Sequence, residues 1–123
     1  MYEDAYRDKI VSAAEAAKLV KSGDRVYVGT ASSFAYELMD ALWERRDQLE
    51  DVAILCSMSV APSRMFSTDY HEHNPFHVET FFLGQQERIA HRKHGMPLEF
   101  TCFHLSQVDI WCRHVGKPDV CFF

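Results

Sequence analysis

The chain has 123 residues, 47% hydrophobic and 25% charged, with a formal charge of −5. That suits one globular domain with a real core, and it argues against a nucleic-acid surface, because phosphate binding needs clustered Lys and Arg. No apolar run approaches the roughly 20 residues that span a bilayer, and the acidic N-terminus is unlike a signal peptide, so no membrane association and a cytoplasmic location are expected.

Met1 to Lys9 is charged and has no sustained period. It reads as a lead-in whose Tyr2 and Tyr6 pack onto the domain. Ser12-Ala13-Ala14-Glu15 is a capping box, a hydroxyl at N-cap and a carboxylate at N3. Ala16, Leu19 and Val20 then supply an apolar stripe, and Gly23 closes this short helix. Arg25–Val28 has the β-branched and aromatic composition of a buried strand. Gly29 permits a sharp turn and the close approach of another molecule. Ser32 or Ser33 is expected to cap a long amphipathic helix running from Phe34 to Leu49, which presents Leu38, Met39, Leu42 and Trp43 on one face. Val52 to Cys56 is continuously apolar, as a parallel strand covered on both faces requires. Strand, helix and strand with tight joints make a βαβ unit with a right-handed crossover.

Ser57 to Pro75 reads as an excursion near the same sheet edge as the Gly29 turn, with a short helix around Arg64-Met65-Phe66. Phe76 to Leu83 resumes strand composition and ends at Gly84. Gln86 to His94 is expected to be helical, with Gly95 as its stop and Pro97 beyond. The basic cluster His91-Arg92-Lys93-His94 falls at that helix end, where the dipole favours cations. Leu98 to Leu105 forms a fourth strand, with Phe100, Cys102 and His104 on one face and Glu99, Thr101 and Phe103 on the other. A last short helix starts at Ser106-Gln107-Val108-Asp109, and Val120 to Phe123 is a fifth, buried strand. A terminal carboxylate resists desolvation, so a chain stopping there is expected to be a fragment of a longer protein. The fold class that follows is α/β, an open and mostly parallel sheet with flanking helices.

In such sheets ligands bind at carboxyl-end turns, which makes Gly29, Thr30, Ala31 and Ser32 the candidate substrate-binding residues. The turn has neither the Lys of a P-loop nor a G-x-G-x-x-G pattern. His71, His73 and His77, with Asp69 and Glu72, are interrupted by Pro75 and have no cysteine close by, so a polar loop is expected and no metal site. His104 reads as a core histidine. Cys56, Cys102, Cys112 and Cys121 lie far apart and read as buried, reduced thiols. None stands at a turn before a helix, where a thiolate would be favoured.

Several segments, in order, carry a family resemblance. They are Lys9 to Ala16, Lys21 to Ala31, Leu38 to Leu42, Phe81-Phe82-Leu83-Gly84 with Arg88, His104 to Val108, and Pro118-Asp119-Val120. Together they resemble the amino-terminal half of the acetyl-CoA hydrolase/transferase family, close to the 4-hydroxybutyrate and butyryl-CoA:acetate CoA-transferases. The resemblance implies a NagB/RpiA/CoA-transferase-like domain over residues 1–123, within a longer two-domain enzyme that forms a homo-oligomer, a dimer. It implies transfer of CoA between an acyl-CoA and a small carboxylic acid, coenzyme A being substrate and no cofactor being needed. In that family a glutamate attacks the thioester and passes through a glutamyl-CoA intermediate, so covalent catalysis divides one hard exchange into easier ones.

That glutamate belongs to the missing C-terminal domain. None of Glu37, Glu72, Glu79, Glu87 and Glu99 matches its motif, so this chain holds no catalytic residue and is expected to be inactive alone. It offers a cleft wall: Gly29 to Ser32, the Met58-Ser59-Val60-Ala61-Pro62 loop, and Gly84. Backbone N–H groups at the glycine turns would stabilise oxyanions. Ser33-Phe34-Ala35 replaces a proline of the relatives, and Phe34 is expected to narrow the pocket mouth. Gly84-Gln85-Gln86 lacks the Pro-Asn common there. Alternatives are a hydrolase of the same family, a sugar-phosphate isomerase or deaminase on the related fold, and a non-catalytic binding domain.

Overall fold

A computed structural model describes residues 2–70 and 73–123. Five strands form one sheet: β1 (Arg25–Val28), β2 (Val52–Leu55), β3 (Phe76–Thr80), β4 (Leu98–Phe100) and β5 (Val120–Phe122). All pairings are parallel, in the order β4-β3-β2-β1-β5. The helices are α1 (Tyr2–Tyr6), α2 (Ala13–Ala17), α3 (Tyr36–Glu44), α4 (Arg64–Ser67), α5 (Gln85–His94) and α6 (Val108–Trp111).

Register explains why the two faces of the sheet differ. Val26, Ile54 and Val78 stand in line across β1, β2 and β3, as do Val52 and Phe76. With Val28 they form a wholly apolar face, buried beneath Met39, Leu42 and Trp43 of α3, Met65 and Phe66 of α4, and Ala90 of α5. The alternate residues line up as Arg25, Ala53 and His77, and as Tyr27, Leu55 and Glu79. This second face is half polar. Arg25 pairs with Glu79 and donates to the Gly116 carbonyl, passing the small Ala53 that lies between their strands. Trp111 of α6 covers Ala53 and Leu55 there, with Phe81 and Phe103 packed against the same group. Gly116 is needed beneath it, because a Cβ would stand 2.7 Å from the Trp111 ring and 2.9 Å from Leu55.

Several elements depart from the sequence reading. The lead-in is helical, and Tyr6 is exposed rather than packed, with Lys9 over its ring. Ser12 Oγ does accept from Glu15 N–H at 3.2 Å, but Leu19 is exposed and Ala17 takes the buried place. The fourth strand ends at Phe100, because β4 is an edge strand and the chain leaves the sheet after Thr101 N–H meets the Thr80 carbonyl. Cys102 and His104 are therefore exposed, so His104 is no core histidine. Its N–H donates instead to Gln107 Oε1, 3.2 Å away, at a turn that precedes α6. The fifth strand is also an edge, where only Phe122 is buried. All four thiols are free, yet only Cys56 is buried; Cys112 is half-buried, and Cys102 and Cys121 are exposed. His71 and Glu72 lie outside the described residues, and no group of three or more ligands that could hold a metal occurs among those described.

Candidate active site at the carboxyl ends of β1, β2 and β3

From β1 the chain steps outward to β2, β3 and β4, and then returns to place β5 on the other side of β1. The order reverses at β1, and in open α/β sheets the crevice beyond the carboxyl end of such a strand is where ligands bind. Gly29, Thr30, Ala31 and Ser32 occupy that position, directly after β1. Gly29 is required by close approach: a Cβ would run into the Ser33 carbonyl, with its carbon at 3.0 Å. Residues Ala31–Ser33 wind into one tight helical turn, in which Ser33 N–H and Oγ both donate to the Thr30 carbonyl, at 3.1 and 2.8 Å.

This winding overturns the expected cap. Helix α3 begins at Tyr36 with Ala35 in the cap position, and neither Ser32 nor Ser33 serves it. Phe34 is drawn into the core, 4% exposed and tilted against Tyr36 and Phe66. Burying that ring fixes where the helix can start, and it leaves only part of Phe34 lining the nearby groove.

Two depressions flank the turn. One is an open groove of about 560 Å³ between α2, α3 and the end of β5, lined by Ser32, Ser33 and Phe123 among others. The second, about 310 Å³, is narrower and strongly apolar. Met58, Phe81, Phe82, Phe103 and Leu105 form its walls, and Thr30 and Ser57 bring hydroxyls 3.2 Å apart. Thr30 thus faces one depression and Ser32 the other, so the predicted residues are adjacent in sequence but serve two spaces. Of the predicted loop, Met58 lines the apolar cleft, Val60 is exposed, and Ala61 N–H is bound by the Tyr36 hydroxyl at 2.7 Å.

The Gly29 N–H donates to the Phe122 carbonyl at 2.9 Å and the Ala31 N–H to the Met58 carbonyl at 3.1 Å. Both are committed inside the protein, so the expected oxyanion role does not fall to these two groups. Sequence reading missed Ser57, Phe103 and Leu105 as wall residues. They come from two separate segments, Ser57 after β2 and Phe103 with Leu105 between β4 and α6, and no spacing along the chain joins the two.

A parallel five-stranded sheet with helices on both faces and a cleft at the order reversal defines an open, doubly wound α/β domain. The chain belongs to the acetyl-CoA hydrolase/transferase family, whose N-terminal domain matches residues 1–118. It is 47% identical over 55 residues to a probable butyrate:acetyl-CoA coenzyme A-transferase of Syntrophomonas wolfei, a stretch covering 45% of this chain and 12% of that protein. The crystal structure of RipA from Yersinia pestis superposes with a TM-score of 0.78 at 18% identity, over 98% of this chain and 30% of RipA. A RipA variant gives 0.79 over the same 98%, covering 29% of its chain. The chain therefore spans less than a third of these relatives.

Proposed function

We propose that this domain forms one wall of a CoA-transferase cleft, in which CoA passes between an acyl-CoA and a short-chain carboxylate of the 4-hydroxybutyrate, butyrate or acetate type. The glutamate that forms the glutamyl-CoA intermediate lies outside this chain. One observation carries the reading: the turn that holds the family's residues Gly29, Thr30 and Ala31 stands where the strand order reverses, beside an apolar cleft with two hydroxyls. A short alkyl chain gains by leaving water for such walls, about 0.8 kcal/mol per buried CH₂, while Thr30 and Ser57 offer hydrogen bonds to the polar end. Ser32, in the groove on the other side of the turn, is positioned for the remainder of the CoA substrate.

Among the described residues neither depression is lined by Lys or Arg, so a phosphate, whether of CoA or of a sugar, would be gripped by side chains outside these two spaces. No helix among the described residues is long and apolar enough to cross a membrane. A cytoplasmic location and a homo-oligomeric, dimeric assembly belong to the same proposal.

The test uses the intact protein with butyryl-CoA and acetate. Formation of acetyl-CoA is expected. Release of free CoA thiol without acetyl-CoA would identify the hydrolase of the same family, and no consumption of the thioester would refute the reading.

A further inference from the structure

The loop that walls the apolar cleft is held in an unfavourable backbone conformation. Met58 has φ of 47° and Ala31 has φ of 53°, both in the left-handed region that L side chains rarely adopt. The two are joined by the Ala31 N–H donating to the Met58 carbonyl. Strain of this kind persists only where the surroundings over-determine it. The next residue, Ser59, is where that determination enters. Its N–H and its hydroxyl both donate to Glu87 Oε1, at 2.8 and 2.9 Å.

Glu87 is wholly buried in the first turn of the ten-residue α5, where the helix dipole favours a carboxylate. Its other oxygen, Oε2, has no hydrogen-bond partner among the described residues. A buried acceptor left unmet is costly. Oε2 lies against Gly84, where any Cβ would meet it and stand 2.8 Å from Met58 Cα. Gly84 and Glu87 thus work together: one makes room for the loop and the other ties it down.

We infer that Glu87 is a positioning residue, a buried carboxylate that holds Ser59 and so sets Ser57 and Met58 against the cleft. It touches no substrate and acts through the loop. The ligand arm of the test rests on the proposed function; the exchange arm does not.

In the intact protein, Glu87→Ala should raise the amide exchange of Ser59 and Ala31 about tenfold, while Ile54 and Val78 in the sheet keep their rates. Glu87→Gln, which retains an oxygen for Ser59, should restore the protection. Calorimetry should show a fall of about tenfold in butyryl-CoA affinity for the alanine variant, recovered in the glutamine variant. Unchanged exchange at Ser59 and Ala31, or exchange raised equally through the sheet, would overturn the inference. So would a glutamine variant as loose as the alanine one, or a loosened loop with unaltered affinity. Should Glu87→Ala fail to fold, Ser59→Ala decides, since it removes one donor alone: faster Ala31 exchange supports the role and an unchanged rate rejects it. If the wild-type protein binds no butyryl-CoA, the proposed function falls and the exchange result still judges Glu87.

Discussion

Cys56 follows the central strand β2 and is 1% exposed. Burial pushes its thiol well above the ordinary value of 9.0, and the negative charge of nearby Glu87 adds to the push. The folded protein therefore holds this proton more tightly than the unfolded chain does. Below the ordinary value both states are protonated and nothing is lost. As pH rises past it the unfolded chain releases the proton while the folded one keeps it, so stability falls with pH. Urea unfolding followed upward from neutral pH should show this loss beginning near pH 9.0, and Cys56→Ala should flatten it; parallel curves would contradict the account. The residue type was legible as a small buried hydrophobe. Its sisters Cys102 and Cys121 were misread because β4 and β5 turned out to be edges, β4 ending before Cys102 is reached, and edge position is not written in composition.

Among the elements, α5 was the most legible. The reading placed it at Gln86 to His94, and it runs Gln85–His94 between Gly84 and Gly95. Gly95 has φ of 70°, so its stop is a left-handed cap of the kind glycine favours. A Cβ there would meet only Tyr70, at an ordinary 3.9 Å, so the cost of substitution is conformational rather than steric. Gly95→Ala should lower stability by about 1 kcal/mol, with Gly95→Asn losing less because Asn tolerates that region. Equal unfolding midpoints for wild type and the alanine variant would show that the cap contributes nothing. Helix α3 was harder to place. Its Leu42 and Trp43 are buried as the periodicity required. Its start moved from Phe34 to Tyr36 because Phe34 was claimed by the core and Ser33 by the Thr30 carbonyl. Both are contacts that form only once the turn has folded.

Across the whole molecule, burial is concentrated at the centre of the sheet and falls away at the β4 edge. Phe76 is fully buried against Trp43 of α3, with ring centroids 6.1 Å apart, whereas Phe100 on the edge strand β4 is 53% exposed. Truncating a buried phenylalanine removes its transfer free energy and leaves a cavity. Phe76→Ala should therefore cost about 3–5 kcal/mol in urea unfolding, and Phe100→Ala no more than about 0.5 kcal/mol. Phe100 stands in register with Thr80, on the same face as Phe76. Similar losses at the two positions would therefore mean that the edge strand carries as much of the load as the centre.

The sequence by itself determined the fold class, the alternation of strands and helices, and the turn after β1, because hydrophobic period, β-branched runs and glycines act locally. It also carried the family, through short segments kept in order along the chain. Only the tertiary structure decided which strands became edges, that Thr30 and Ser32 face separate depressions, and that Glu87 ties down Ser59. Each of these depends on residues distant in the chain being brought together by the stacking of strands, and no local pattern encodes a partner 28 residues away.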